Sequence, residues 1–131
     1  MTLTLGLGCD RGTPMATIVQ AIEEALAACS ASRMDIASAA SIDLKANEDG
    51  LLQAMHYFGW TIHFYDAAEL AVVPVPNPSE TVRRHTGTPS VSEAAALLVG
   101  GADKTQLLVE KHKMRGADGR NATISIARIS E

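Results

Sequence analysis

The sequence predicts a single α/β domain with a mixed sheet of about five strands, helices on both faces and an antiparallel hairpin at the C-terminus. Three observations carry this. Apolar residues alternate between period two and helical spacing through the first 73 positions, which reads as β-α-β-α-β-α. The last two apolar stretches, Gln106 to Lys111 and Ala122 to Ile129, flank a glycine-containing loop, as hairpin strands do. No repeat or linker divides the 131 residues, a length suited to one core, so residues 1–131 read as one domain.

The elements follow in order. Leu3, Leu5 and Leu7 alternate with Thr2, Thr4 and Gly6, giving a strand with one strongly apolar face. After the turn Gly8-Cys9-Asp10-Arg11-Gly12-Thr13, Thr13 and Pro14 read as N-cap and first helical residue. Ile18, Ile22, Ala25, Leu26 and Cys29 recur at helical spacing, and that helix should end between Cys29 and Ser32. Ile36 to Ser41 reads as a short buried strand. Asn47 caps a helix from Glu48 to Phe58, which Gly59 closes. Trp60 to Tyr65 is aromatic and β-branched, hence a strand. Asp66 and Glu69 form a capping box that opens a short helix to about Val73. Pro74 to Pro89, with four prolines and Arg83-Arg84-His85, reads as a loop without regular structure, the kind that is functional or mobile. Ser90 and Glu93 form a second capping box, opening an Ala/Leu-rich helix that ends at Gly100-Gly101. His112 to Asn121 reads as a wide hairpin loop.

Composition narrows the function. The apolar fraction is 47% and the charged fraction 20%, as in soluble globular proteins. A net charge of −4 gives no general attraction to nucleic acid or anionic membrane, so an anionic ligand needs a local basic cluster. Aromatics at 4% are too few for a base-stacking platform. No apolar run is long enough to span a bilayer, and no basic leader precedes the first strand. Two cysteines without metal or redox spacing fit a reducing cytoplasm. Histidines 56, 63, 85 and 112 share no ligand spacing, so no metal and no cofactor are expected.

The chemistry concentrates where strands hand over to helices. At Gly8 to Thr13, unpaired amides, a helix dipole and Arg11 together favour an anion. Gly6-x-Gly8-x-x-x-Gly12 misses the dinucleotide fingerprint, because Arg11 stands where the third glycine is needed, and no Gly-Lys-Ser/Thr follows to make a P-loop. A glycine-rich connector without ligand is the plain alternative. Cys9 reads either as a thiolate favoured by the dipole and Arg11 or as a packing residue. Ser41, Asp43, Lys45 and Glu48 cluster at the end of the second strand, beside Arg11 if the first two strands are parallel neighbours. There Lys45 could pair with a carboxylate, and Asp43 or Glu48 could act as general base; loop solvation and capping explain the same residues. Ser90 and Glu93 read first as a capping box and second as a ligand-facing helix start, with Gly87 allowing close backbone approach. Lys111 ends a strand, with Lys113 and Arg115 beyond it as a solvated edge.

In order and spacing, three motifs resemble the CobE family of cobalamin biosynthesis, also the C-terminal domain of CbiG, the cobalt-precorrin-5A hydrolase. They are Gly6-x-Gly8-Cys9-x-Arg11-Gly12-Thr13, Ala40-Ser41-Ile42-Asp43-x-Lys45-x-x-Glu48, and Gly87-x-x-Ser90-Val91-x-Glu93-Ala94-Ala95-Ala96-Leu97, followed by the Lys111 strand. The resemblance covers nearly the whole chain. It implies a precorrin or corrinoid tetrapyrrole ligand, whose acetate and propionate carboxylates would meet Arg11, Lys45, Lys111 and the amides after Gly8. It also implies other cobalamin-pathway enzymes as partners. The longer members open a ring-fused lactone and release acetaldehyde, but this chain has no room for their other domain. Three readings result: an accessory precorrin-binding protein, a small lactone hydrolase using Asp43 or Glu48, and a generic anion- or nucleotide-binding domain.

Overall fold

In the computed structural model, which describes residues 1–129, the strands are β1 (Leu3–Cys9), β2 (Ile36–Ile42), β3 (Ile62–Tyr65), β4 (Leu107–Arg115) and β5 (Asn121–Arg128). The helices are α1 (Met15–Ala28), α2 (Asp49–Phe58), α3 (Ala67–Ala71), α4 (Glu80–Thr86) and α5 (Ser92–Gly100). The strands form one mixed sheet in the order β3-β2-β1-β5-β4. β1, β2 and β3 run parallel, and β5 runs antiparallel to both β1 and β4. At the N-terminal end of β1, the Ile129 amide donates to the Thr2 carbonyl at 3.0 Å, so the two ends of the described chain lie together.

Both sheet faces are covered, each for a different reason. Leu3, Leu5 and Leu7 point to one face and pack with Ile124 and Ile126 of β5 against Ile18 and Ile22 of α1 and Leu51 and Met55 of α2. The alternation that puts the leucines on this face puts Thr4, Gly6 and Gly8 on the other. That second face is not polar surface. It is covered by α5, whose residues Ser92 to Leu97 are buried. Thr4 Oγ1 donates to the Ala96 carbonyl at 2.8 Å. A Cβ on Gly6 would lie 1.9 Å from the Ser92 carbonyl oxygen and 2.7 Å from the Ala96 nitrogen, so the helix backbone rests directly on the strand. Ala94, Ala95 and Ala96, all fully buried, give α5 the small radius this approach requires. On the opposite face Gly50 does the same for α2, because its Cβ would fall 2.1 Å from the Thr13 carbonyl oxygen.

The helix starts depart from the sequence reading in an instructive way. Asp66 and Glu69 form their capping box at α3, with bonds of 2.7 and 3.0 Å. The caps expected at α1, α2 and α5 do not form. Thr13 Oγ1 donates to the Asp10 carbonyl at 2.7 Å, and Pro14 occupies the N-cap of α1 without a side-chain cap. Glu48, not Asn47, is the N-cap residue of α2. The Ser90–Glu93 box does not form: Val91 holds the N-cap position, and Glu93 is buried beside Asn77.

Pro74 to Pro89 is not structureless, because it contains α4. Ser79 Oγ accepts from the Val82 amide at 3.2 Å, Gly87 ends the helix at φ 85°, and the Ser79 amide donates to the Pro89 carbonyl at 2.8 Å. The hairpin loop is also shorter than expected, since β4 continues to Arg115 and β5 begins at Asn121. Within β4 the register shifts: Val109 is opposite Ile126 and His112 opposite Ile124. Two residues of β4 therefore face Ser125 alone, which is a β-bulge. Val109 and Met114 pack on the α1 side of the sheet, and His112 Nε2 meets Glu24 Oε1 of α1 at 2.7 Å.

Replacing Gly6 by Ala should destabilise the protein by about 2–3 kcal/mol in urea unfolding, because either α5 or β1 must move to admit the methyl group. Gly8→Ala, whose Cβ would meet Val91 at an ordinary 3.7 Å, should change stability by less than about 1 kcal/mol.

Candidate functional site

Parallel strands β1 and β2 end at the same edge of the sheet, and α5 begins just behind that edge. The space left in front of α5 is a cleft of about 480 Å³. Gly8 of β1, Ile42 of β2 and Thr123 of β5 line it from the sheet, and Val91 and Ser92 close it behind. Thr81, Val82, His85 and Thr86 of α4 form the opposing wall. Arg11, Leu44 and Lys45 stand at one end, and Lys111 and Lys113 of β4 at the other. On a chain of net charge −4, the cleft gathers one arginine, three lysines and a histidine.

The glycine turn does hold an anion, but the anion is the protein's own. Glu48, 3% exposed, accepts from the Gly12 amide at 3.1 Å through Oε2 and from Arg11 Nη1 at 2.9 Å through Oε1. Lys45 Nζ lies 3.9 Å from the same Oε1, and Arg11 Nη1 also reaches Asn47 Oδ1 at 3.1 Å. A buried carboxylate needs such partners: the glycine turn supplies an amide and Arg11, and the Asp43–Lys45 turn supplies Lys45. Glu48 thus locks the turn after β1 to the start of α2. The turn is braced on its other side, where Asp10 Oδ2 accepts from the Asn121 amide at 2.7 Å and Arg120 Nε donates to the Arg11 carbonyl at 3.0 Å.

Cys9 lines the cleft as a neutral thiol. Burial pushes it from about 9 up to about 11, against a smaller opposite pull from Lys45. The helix dipole and Arg11 therefore do not make it a thiolate, and it reads as a packing residue.

Of the residues singled out from the sequence, the cleft brings together Gly8, Cys9, Arg11, Lys45 and Lys111. Others lie behind it. Thr13 is buried under the turn, and Ser41 donates to the Leu7 carbonyl at 2.7 Å, tying β2 to β1. Asp43 is exposed on a short 3-10 turn (Asp43–Lys45) and does not line the cleft. Gly87 ends α4, and Ser90 Oγ is buried, accepting from the Ala94 amide at 3.4 Å. Fully buried Glu93 accepts from Asn77 Nδ2 at 2.7 Å through Oε2, while its Oε1 has no hydrogen-bond partner. Asn77 Nδ2 also reaches Glu110 Oε1 at 3.0 Å, which pins the segment before α4 to both α5 and β4.

Sequence reading passed over His85, Thr81, Thr86, Thr123 and the role of Lys113. The α4 residues were readable from Ser79 and Glu80 at a helix start with Gly87 at its end. Lys113 was signalled by its two-residue spacing from Lys111. Among the described residues, no group of His, Cys, Asp and Glu side chains is placed to hold a metal ion, and no helix is long and apolar enough to cross a membrane.

Glu48→Gln should destabilise the fold by about 2 kcal/mol in urea unfolding, because the buried turn loses its charge-assisted acceptors. Arg11→Ala, at a side chain 64% exposed, should cost about 1 kcal/mol or less. Cys9 should resist iodoacetamide in the folded protein at pH 8. Its thiol titrates higher when folded than when unfolded, so its stabilising effect is complete below about pH 9 and is lost as pH rises toward about 11. Cys9→Ala should flatten that part of a stability–pH profile.

Residues 3–127 match the family model described as the cobalamin synthesis G C-terminus. Over 127 residues, 97% of its length, the chain is 39% identical to a cobalt-precorrin-5A hydrolase of Priestia megaterium, of which it spans 32%. Over 111 residues, 83% of its length, it is 40% identical to protein CobE of Sinorhizobium sp, of which it spans 71%. The crystal structure of a CobE from the cobalamin (vitamin B12) biosynthetic pathway superposes with a TM-score of 0.81 at 29% identity, covering 99% of this chain and 95% of that one.

Proposed function

Because the chain belongs to the CobE/CbiG C-terminal family of cobalamin biosynthesis proteins, we propose that it binds a carboxylate-bearing precorrin or corrinoid intermediate in the cleft before α5 and serves as an accessory binding protein. The observation that carries this reading is the gathering of Arg11, Lys45, His85, Lys111 and Lys113 around one cleft of an otherwise acidic protein. Carboxylates on the rim of a tetrapyrrole supply the complementary charge. Ile42, Leu44, Val82 and Val91 give the same cleft apolar surface for the ring. A macrocycle would exceed the cleft and leave part of itself outside, where a cobalamin-pathway enzyme could take it up.

The hydrolase reading draws on the Priestia megaterium relative, about a third of whose length this chain spans. The groups expected to serve as base support it poorly. Glu48 is held by Gly12, Arg11 and Lys45, and Asp43 stands outside the cleft. Among the described residues, the one acid that lines the cleft is Asp10, and Asn121 holds it.

Titrating the protein with isolated precorrin intermediates tests the proposal. The expected result is a saturable shift of the tetrapyrrole absorbance at one equivalent, with no change in ligand mass. Release of acetaldehyde at catalytic protein concentrations would replace the binding reading with the hydrolase one. Absence of any tetrapyrrole binding would overturn both.

A further inference from the structure

Resting on the corrinoid-binding reading, we infer that the ligand's carboxylates are anchored chiefly by Lys111 and Lys113 on edge strand β4, not by the Arg11 and Lys45 pair that the sequence singles out. The first ground is charge accounting. Arg11 and Lys45 both face Glu48, at 2.9 and 3.9 Å, so two positive charges are offset by one buried negative charge. Lys111 and Lys113 form no ion pair among the described residues. A carboxylate entering the cleft meets full charges at β4 and partly neutralised ones at the turn.

The second ground is the bulge. Strand periodicity would put Val109, Lys111 and Lys113 on one face. Leu107 packs on the α5 side and Val109 on the α1 side, because a first extra residue separates them, and without a second one both lysines would follow Val109 away from the cleft. The second extra residue, between Val109 and His112, restores the alternation set by Leu107. His112 then turns to Glu24 of α1, while Lys111 and Lys113 turn to the cleft.

The third ground is placement. Gly8 is opposite Thr123, and Thr123 opposite Lys113, so one transverse row runs from the middle of the cleft to a lysine at its edge. Two strand spacings separate β1 from β4, roughly 10 Å, which leaves the flat, side-chain-poor floor at Gly8 and Thr123 for the body of a ligand. The ligand class is therefore a broad, largely apolar body with carboxylates along one edge. Charged residues on an edge strand also deter strand-to-strand aggregation, but that role needs no particular face and no discrimination among ligands.

The test compares two probes: a corrinoid whose side chains are free carboxylates, and the same corrinoid with those side chains converted to carboxamides. Wild type should prefer the carboxylate form by at least about tenfold. Lys111→Ala and Lys113→Ala should each lose about tenfold in affinity for it, and the double variant should lose the preference. Lys113→Arg should retain most of the affinity, and all these variants should melt as wild type, since both lysines are exposed. Arg11→Ala should weaken binding less than Lys113→Ala does. Should the double lysine variant keep both affinity and preference while Arg11→Ala or Lys45→Ala abolishes binding, the anchors are misplaced and the corrinoid-binding reading survives. Equal binding of the two probes by wild type overturns carboxylate anchoring altogether. Binding of neither overturns the proposed function itself.

Discussion

The contact on which the architecture depends is the approach of the α5 backbone to β1 at Gly6. No side chain intervenes there, since a Cβ would fall 1.9 Å from the Ser92 carbonyl oxygen. A helix at ordinary distance would leave about 10 Å for interdigitating side chains. Here the strand offers glycines and a threonine, and the helix offers serine and alanines. The close fit fixes where α5 starts along β1. Because the helix begins at Ser92, the last residues of β1 and β2 project past it, and the uncovered strand ends become the floor of the cleft. The site is thus a by-product of where a tightly seated helix stops.

The turn at Gly8 to Thr13 shows how an anion-binding geometry can be consumed within the fold. Its amides and Arg11 are arranged as a ligand loop would be, but Glu48 supplies the charge from the start of α2. With Gly50 seated against the Thr13 carbonyl, the arrangement joins β1, α1 and α2 at one point. It orients the cleft end that carries Arg11 and Lys45, and it takes up much of their charge. The opposite end, on β4, keeps its charge unpaired among the described residues.

Much of the fold was legible from residue order. Alternating leucines marked β1, helical spacing marked α1, and the two C-terminal strands marked the antiparallel edge. What failed was the placing of helix caps. Thr13, Asn47 and Ser90 have N-cap side chains by type, but each makes a different bond, to Asp10, Arg11 or the Ala94 amide. Proline density concealed α4, although Ser79 and Gly87 marked its ends. The cations of the cleft were partly legible: Arg11 and Lys45 reach it because β1 and β2 run parallel and end at one edge, while Lys111 comes to it from within β4. The place of Lys113 beside Lys111 follows from their two-residue spacing, but that Arg11 and Lys45 share one buried carboxylate was not legible, because it depends on tertiary placement.

The bond between Thr2 and Ile129 places both ends of the described chain at the N-terminal end of β1, while the cleft opens at its C-terminal end. The molecule therefore has two poles, with the ends of the described chain at one and the cleft at the other. A purification handle, an immobilising surface or a fused polypeptide joined at either end would leave the cleft facing outward. Several copies could be tethered side by side in this way, each with its cleft unobstructed.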